Sequence, residues 1–252
     1  MIIGINGKIG SGKDTVGKII QYLQCHNTGE ITIQDVMSNP EHEWWLEEQS
    51  KFEIKKFAGK LKQTASLLTG IDVEKFEDQE FKKLEMPECW NRLQQSGRSK
   101  VWTPMTYREF LQKLGTEAMR EGLHTNVWVN ALFADYKDTR WISKAEWDMK
   151  KGLPYNPDND KPIYPNWIIT DMRFPNEMEA VVEKGGLTIR VVRRQTIVLD
   201  GAKYTMGIDP YNEHPSETAL DGHTMHYEII NDGTIEDLVE KVKEILTKQG
   251  II

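Results

Sequence analysis

Apolar positions along the chain fall into short unbroken runs separated by stripes at helical spacing. Ile2 to Asn6 is such a run, the pattern of a strand buried on both faces at the centre of a parallel sheet. Glycines crowd in at Gly7, Gly10 and Gly12, and Val16, Ile19, Ile20 and Leu23 then recur on one helix face. The signal weakens over 30–49, where a short strand at Ile31 to Ile33 precedes an acidic stretch around Trp44 and Trp45 that suits a helix or an ordered loop. Phe52 to Phe57 reads as the next strand, with Leu61, Ala65 and Leu68 as the stripe of a following helix; 72–100 reads as a peripheral helical segment and loop. Thr106 and Glu109 have the spacing of a capping box, with Phe110, Leu111 and Leu114 as the core face behind it. A helix over Val127 to Tyr136 leads into a Pro-, Asn- and Asp-rich surface excursion at 141–165. Beyond it lie a strand from Trp167 to Thr170, a helix from Asn176 to Glu183 stopped by Gly185 and Gly186, and a strand from Leu187 to Val192. After the polar stretch 193–226 the chain closes with a strand at Tyr227 to Ile230, the turn Asn231-Asp232-Gly233 and a helix striped by Ile235, Leu238, Val239, Val242, Ile245 and Leu246, whose start carries a second capping box, Thr234 and Asp237. Alternating strands and helices predict a mostly parallel sheet covered on both faces.

The chain has 252 residues, 38% hydrophobic and 28% charged, the composition of a globular protein rather than a collagen-like, disordered or membrane-spanning one. No apolar run approaches the roughly 20 residues that cross a bilayer, and Met1 leads straight into the first strand, so a cytoplasmic location without membrane partners is expected. Two cysteines, Cys25 and Cys89, give no disulfide scaffold and no zinc motif. A formal charge of -7 argues against nucleic acid as a partner, tryptophans notwithstanding, because phosphate backbones need a basic face. A small phosphate ester needs only a few local donors and stays in play.

The strongest chemistry is Gly7-Lys8-Ile9-Gly10-Ser11-Gly12-Lys13, a phosphate-binding loop between a predicted strand and a predicted helix. Its glycines permit the tight turn, its N–H groups form an anion nest, the helix dipole adds attraction, and Lys13 reaches the outer phosphates. Position 14 departs from the general pattern: Asp14 stands where Ser or Thr holds Mg²⁺, and Thr15 follows. Asp14 either binds magnesium, directly or through water, or is a first-turn acid that favours the helix dipole.

The loop with Asp14 and Thr15, the run Gln112 to Glu117, the Trp128 helix, Ile169-Thr170-Asp171-Met172-Arg173-Phe174-Pro175-Asn176-Glu177, Val192-Arg193-Arg194, His214-Pro215-Ser216-Glu217 and Asn231-Asp232-Gly233 together resemble the deoxynucleoside monophosphate kinases of tailed bacteriophages. The resemblance implies a P-loop kinase-like three-layer α/β fold with a lid, one domain over 1–252, and transfer of the ATP γ-phosphoryl group to a deoxynucleoside 5′-monophosphate with Mg²⁺, in the host cytoplasm if the protein is phage-encoded. It is compatible with a homodimer. A related small-molecule kinase or nucleotide-switched ATPase, and a noncatalytic interaction module, remain alternatives.

Phosphoryl transfer needs basic groups converging on the loop. Arg173 lies just past a predicted strand end, where open α/β sheets bind ligands, and contacts phosphate or pairs with Glu177 or Glu179. Asp171, at the same end, positions magnesium or substrate, or caps the turn. Arg193 and Arg194 follow the next strand, and one of them serves as a lid arginine over the ATP phosphates within 193–226. Lys62 and Arg108 are candidate acceptor-phosphate donors or plain surface cations. Gln112, Thr116 and Glu117 recognise the acceptor, or mark a helix ending at Gly115. Asn231 is placed near adenine or simply makes a tight turn, and His214 with Glu217 reads as lid packing.

Overall fold

A computed structural model describes residues 1–25, 31–96, 99–138, 162–193, 195–199, 202–206 and 218–252. The central sheet is built from β1 (Ile2–Asn6), β2 (Phe52–Lys55), β5 (Asn166–Ile169), β6 (Leu187–Val192) and β9 (Tyr227–Ile230), in the order β2-β5-β1-β6-β9. Every neighbouring pair is parallel. Because side chains alternate along a strand, Ile3 and Ile5 of β1 point to one face. There they pack with Val16, Ile19 and Ile20 of α1 (Lys13–Gln24) and with Leu238, Val242, Ile245 and Leu246 of α8 (Ile235–Lys248). Gly4 points to the other face, under α7 (Pro175–Glu183), which carries the chain over β1 from β5 to β6. A Cβ on Gly4 would stand 2.9 Å from Met172 Sδ and 3.3 Å from Val181, so glycine is what lets the crossover sit this close. This is a P-loop kinase-like α/β fold, with helices on both faces of a parallel sheet.

The described contacts gather the chain into two compact units, 1–56 with 133–252, and 57–132. The first contains the whole central sheet. The second has its own core of Ala65, Phe76, Met86, Met105, Tyr107, Phe110 and Leu111, contributed by α4 (Phe57–Thr69), α5 (Tyr107–Gln112) and the segment between them. No helix among the described residues is long and apolar enough to cross a membrane.

Several expectations need correction. Ile31 to Ile33 is not a strand: Thr32 and Asp35 form a capping box that starts α2 (Ile33–Ser38), and α3 (Pro40–Gln49) follows with Asn39 as its cap. Local side-chain hydrogen bonds here outweigh the β-branched pattern. The strand from Phe52 stops at Lys55, since Phe57 already opens α4, and Leu68 lies on the exposed side of that helix. In place of a helical segment, the described residues of 72–103 hold three short 3₁₀ turns and an antiparallel hairpin, β3 (Arg92–Ser96) with β4 (Ser99–Thr103). The helix after Thr106 does not end at Gly115 but continues over Lys113–Glu121 as a π-helix. The Trp128 indole N–H donates to the Gly115 carbonyl at 2.9 Å, and an intruding donor of this kind disturbs regular helical bonding. α6 (Val127–Phe133) ends earlier than Tyr136. Within the polar stretch 193–226 lies another antiparallel hairpin, β7 (Gln195–Leu199) with β8 (Ala202–Met206). Most of the excursion at 141–165 lies outside the described residues, as do Arg194, His214 and Glu217.

Candidate functional site

The sheet order reverses about β1, and the C-terminal ends of β1 and β6 open there into a cavity of about 500 Å³ lined by Asn6 to Ser11, Arg190 to Arg193, Asp221 and Glu228. This is the position at which open parallel sheets bind ligands.

The loop between β1 and α1 is held in one shape by several local devices. Gly10 and Gly12 have φ of 77° and 94°, the left-handed region that favours glycine. A Cβ on Gly7 would collide with Ser11 Oγ and meet the Val191 carbonyl at 2.8 Å. The Ser11 N–H donates to the Lys8 carbonyl at 3.1 Å, and the Asn231 side-chain amide donates to the Ser11 carbonyl at 2.8 Å. Asn231 therefore braces the loop, a role that its expected place beside adenine did not include. Among the described residues no side chain caps the start of α1, whereas α2, α5 and α8 each begin with a threonine cap. The first N–H groups of α1 are thus left for an anion. Ser11 Oγ is buried with no hydrogen-bond partner among the described residues, which suits a phosphate oxygen entering the nest.

Lys13, only 9% exposed, opens α1, and its Nζ lies 3.9 Å from the Asp14 carboxylate. Asp14 also receives the Thr170 hydroxyl at 2.9 Å and faces Lys56 Nζ at 3.4 Å, so the ends of β2 and β5 converge on the start of α1. Burial pushes the Asp14 carboxyl up, but Lys56, the Thr170 hydrogen bond and Lys13 together outweigh it and hold the pKa below its ordinary value. The group is ionised at neutral pH. Its contribution to stability is present above the ordinary carboxylate range and is lost as pH falls through the lowered folded value. An ionised, half-exposed carboxylate beside the loop lysine Lys13 fits Mg²⁺, which takes few protein ligands and completes its shell with phosphate oxygens and water. Among the described residues no three His, Cys, Asp or Glu side chains gather to hold an ion by themselves.

Asp171 and Arg173 stand just past β5, in the same unit as the loop. Of the partners weighed for Arg173, Glu177 engages the backbone: its carboxylate accepts the Arg173 N–H at 2.7 Å and the Phe174 N–H at 3.1 Å. Arg193 lines the cavity and its Nη1 donates to the Gly10 carbonyl at 3.4 Å. Lys8 pairs with Asp221 at 3.6 Å, and Ile9 is exposed. Lys62, Arg108, Gln112, Thr116 and Glu117 all belong to the second unit. There Lys62 pairs with Glu77, Arg108 donates to Gln79 at 3.0 Å, and the exposed Glu117 pairs with Lys113 at 2.7 Å.

Three participants were not anticipated from sequence. Lys56 and Thr170 hold Asp14; each follows a strand end, the placement that marked Arg173, but the predicted strands ran through both positions. Arg190 in β6 ties Asn6 at 3.4 Å to the carbonyls of Leu220 and His223, the latter at 2.9 Å. In sequence it lies within the apolar run Leu187 to Val192, where nothing singles it out.

Among known proteins, the chain is 24% identical over 92% of its length to the deoxynucleoside-5′-monophosphate kinase of Escherichia phage T5, covering 89% of that protein. It is 30% identical over 55% of its length to uncharacterized protein ORF77 of Ictalurid herpesvirus 1 (strain Auburn), spanning 47% of that relative. No family model matches the chain. A similarity this weak but this extended suggests the deoxynucleoside monophosphate kinases.

Proposed function

We propose that this chain is a kinase that moves the γ-phosphoryl group of ATP to a deoxynucleoside 5′-monophosphate, acting as one functional domain over 1–252. The observation that carries the reading is the phosphate loop: glycine-shaped, braced by Asn231, with an uncapped helix start and the nearly buried Lys13, at the sheet's ligand-binding end. The extended similarity to the phage T5 kinase supports the acceptor class.

An oxygen of the acceptor phosphate attacks the γ-phosphorus, the bond to the β–γ bridging oxygen breaks, and the electron pair leaves on ADP. The product is the deoxynucleoside diphosphate. The acceptor phosphate is already a competent nucleophile, so charge neutralisation and alignment are what the protein supplies. Residues 7–15 hold the ATP phosphates, Lys13 follows the transferring group, and Arg173 with Arg193 or Arg194 balances its equatorial charge. Magnesium, when bound, would neutralise and align the phosphates; Asp14 and Asp171 would hold it or its water shell. Lys62, Arg108, Gln112, Thr116 and Glu117 are assigned to the acceptor, and 193–226 to a lid that excludes water from ATP.

Turnover tests the reading. ADP formation is expected only when ATP is supplied together with one or more deoxynucleoside monophosphates, with the matching diphosphate as product. ADP release indifferent to every monophosphate would point to a nucleotide-switched ATPase, and neither ATP binding nor turnover to an interaction module. Asp14→Asn separates the two roles of that residue. The Mg²⁺ concentration for half-maximal rate is expected to rise roughly 10-fold, as for lost metal-positioning groups. Stability should change by less than about 1 kcal/mol, because the ion pairs lost are half-exposed. An unchanged metal requirement with a clear drop in melting temperature would leave Asp14 as a helix-start acid only.

A further inference from the structure

Asn6 closes β1, immediately before the first glycine of the phosphate loop, and its side chain bonds in two directions. On one side, Nδ2 donates to the Met172 carbonyl at 2.9 Å, while the Met172 N–H donates to the Ile5 carbonyl at 3.3 Å. Met172 stands between Asp171 and Arg173, so these two bonds pin to β1 the turn that carries both residues. On the other side is Arg190, the register partner of Asn6 on β6, whose Nε donates to Asn6 Oδ1 at 3.4 Å.

The guanidinium continues the connection to the chain that leads into β9. Its Nη2 donates to the carbonyls of Leu220 and His223, the latter at 2.9 Å. Between those two residues Asp221 pairs with Lys8 of the loop at 3.6 Å. The contacts therefore close a ring, from Asn6 through Arg190 to 220–223, through Asp221 to Lys8, and back along the loop to Asn6. All four side-chain-bearing members, Asn6, Lys8, Arg190 and Asp221, line the cavity, so a ligand that fills it touches the ring from inside.

Packing does not account for an arginine at this position. Ile189 and Val191, on either side of it in β6, belong to the main apolar core, and alternation turns Arg190 to the opposite face. Among the described residues no carboxylate pairs with its guanidinium; the N–H groups go to neutral oxygens on two other elements. Charge strengthens each of those bonds, and the rigid fork holds its acceptors in a fixed relation that a lysine would not impose.

We propose that Arg190 and Asn6 are positioning residues, a strut that couples 220–223 to the turn bearing Asp171 and Arg173 and thereby sets the direction of Arg173. The coupling itself stands on the ring of contacts, while its effect on phosphoryl transfer rests on the kinase reading above.

Amide hydrogen exchange of the unliganded full-length protein is compared in the parent, Arg190→Met, Arg190→Lys and Asn6→Ala. Coupling is reciprocal. Arg190→Met should therefore speed exchange at Met172 and Arg173 as well as at Asp221 and His223, and Asn6→Ala should speed it at Asp221 and His223 as well as at Met172. Arg190→Lys, which keeps the charge and a donor, should recover part of the protection. Faster exchange confined to 220–223 in Arg190→Met and to 171–174 in Asn6→Ala overturns the strut; should Arg190→Met fail to fold, Asn6→Ala and Arg190→Lys carry the same comparison. In turnover, Arg190→Met should lower kcat at least about 10-fold, since a displacement of about 1 Å can cost about 100-fold. The ATP KM should change less than kcat, and Arg190→Met combined with Arg173→Ala should be no slower than Arg173→Ala alone. A parental kcat in folded Arg190→Met, or multiplicative losses in the double variant, overturns the positioning of Arg173. If the parent forms no diphosphate from any deoxynucleoside monophosphate, the kinase reading fails separately, and exchange alone then decides the strut.

Discussion

Lys13→Ala is expected to lower kcat at least about 100-fold, equivalent to about 2.7 kcal/mol of transition-state stabilisation. Lys13 is nearly buried at the start of α1, among N–H groups that no side chain of the described residues caps, so its ammonium acts where water screens it little. Charge moves toward the β–γ bridging oxygen as the γ-phosphoryl group departs, and an ammonium fixed beside that oxygen gains more in the transition state than with bound ATP. The KM for ATP should therefore change less than kcat. Removal of the ammonium also leaves Asp14 with Lys56 and Thr170 as partners, so the loop should keep its shape and circular dichroism should match the parent. A near-parental kcat in a folded variant would take Lys13 out of the reaction.

How much of this was legible in the sequence depended on whether the deciding interactions were local. The strand at Ile2–Asn6, the loop and α1 are adjacent in sequence, and their glycine and apolar spacing is dictated by their own backbone. The capping boxes at Thr106 and Thr234 were equally readable, because each closes over three residues. The same chemistry at Thr32 and Asp35 was hidden behind flanking isoleucines that mimic a strand. The π-helix was beyond reach because the Trp128 donor comes from another element, 13 residues after Gly115. So were the partners of Asp14: Thr170 lies 156 residues away and meets it because the chain places β5 beside β1. A pattern read along the chain identifies groups that can bind phosphate; sheet order decides which of them share a site.

Glu177→Ala is expected to cost about 3 kcal/mol of stability, since hydrogen bonds to a charged group contribute roughly 1.5–3 kcal/mol each. Glu177 is 1% exposed, and its carboxylate gathers the N–H groups of Arg173 and Phe174 at the turn from β5 into α7. Alanine leaves both donors without this acceptor and frees the backbone that sets the direction of Arg173. If Arg173 contacts the transferring phosphoryl group, kcat should fall by roughly 30-fold in the protein that remains folded, because misplaced catalytic groups lose most of their effect over about 1 Å. Glu177→Gln keeps one carbonyl acceptor and should recover most of the stability. Denaturant unfolding gives the first quantity and steady-state kinetics the second, and a double variant links them. Residues that act as a unit are not additive, so Glu177→Ala with Arg173→Ala should be no slower than Arg173→Ala alone. A destabilised Glu177→Ala enzyme with parental kcat would confine the carboxylate to structure and show that it does not position Arg173 for the reaction. Independent, multiplicative losses in the double variant would instead show that Glu177 acts on the reaction by a route other than Arg173.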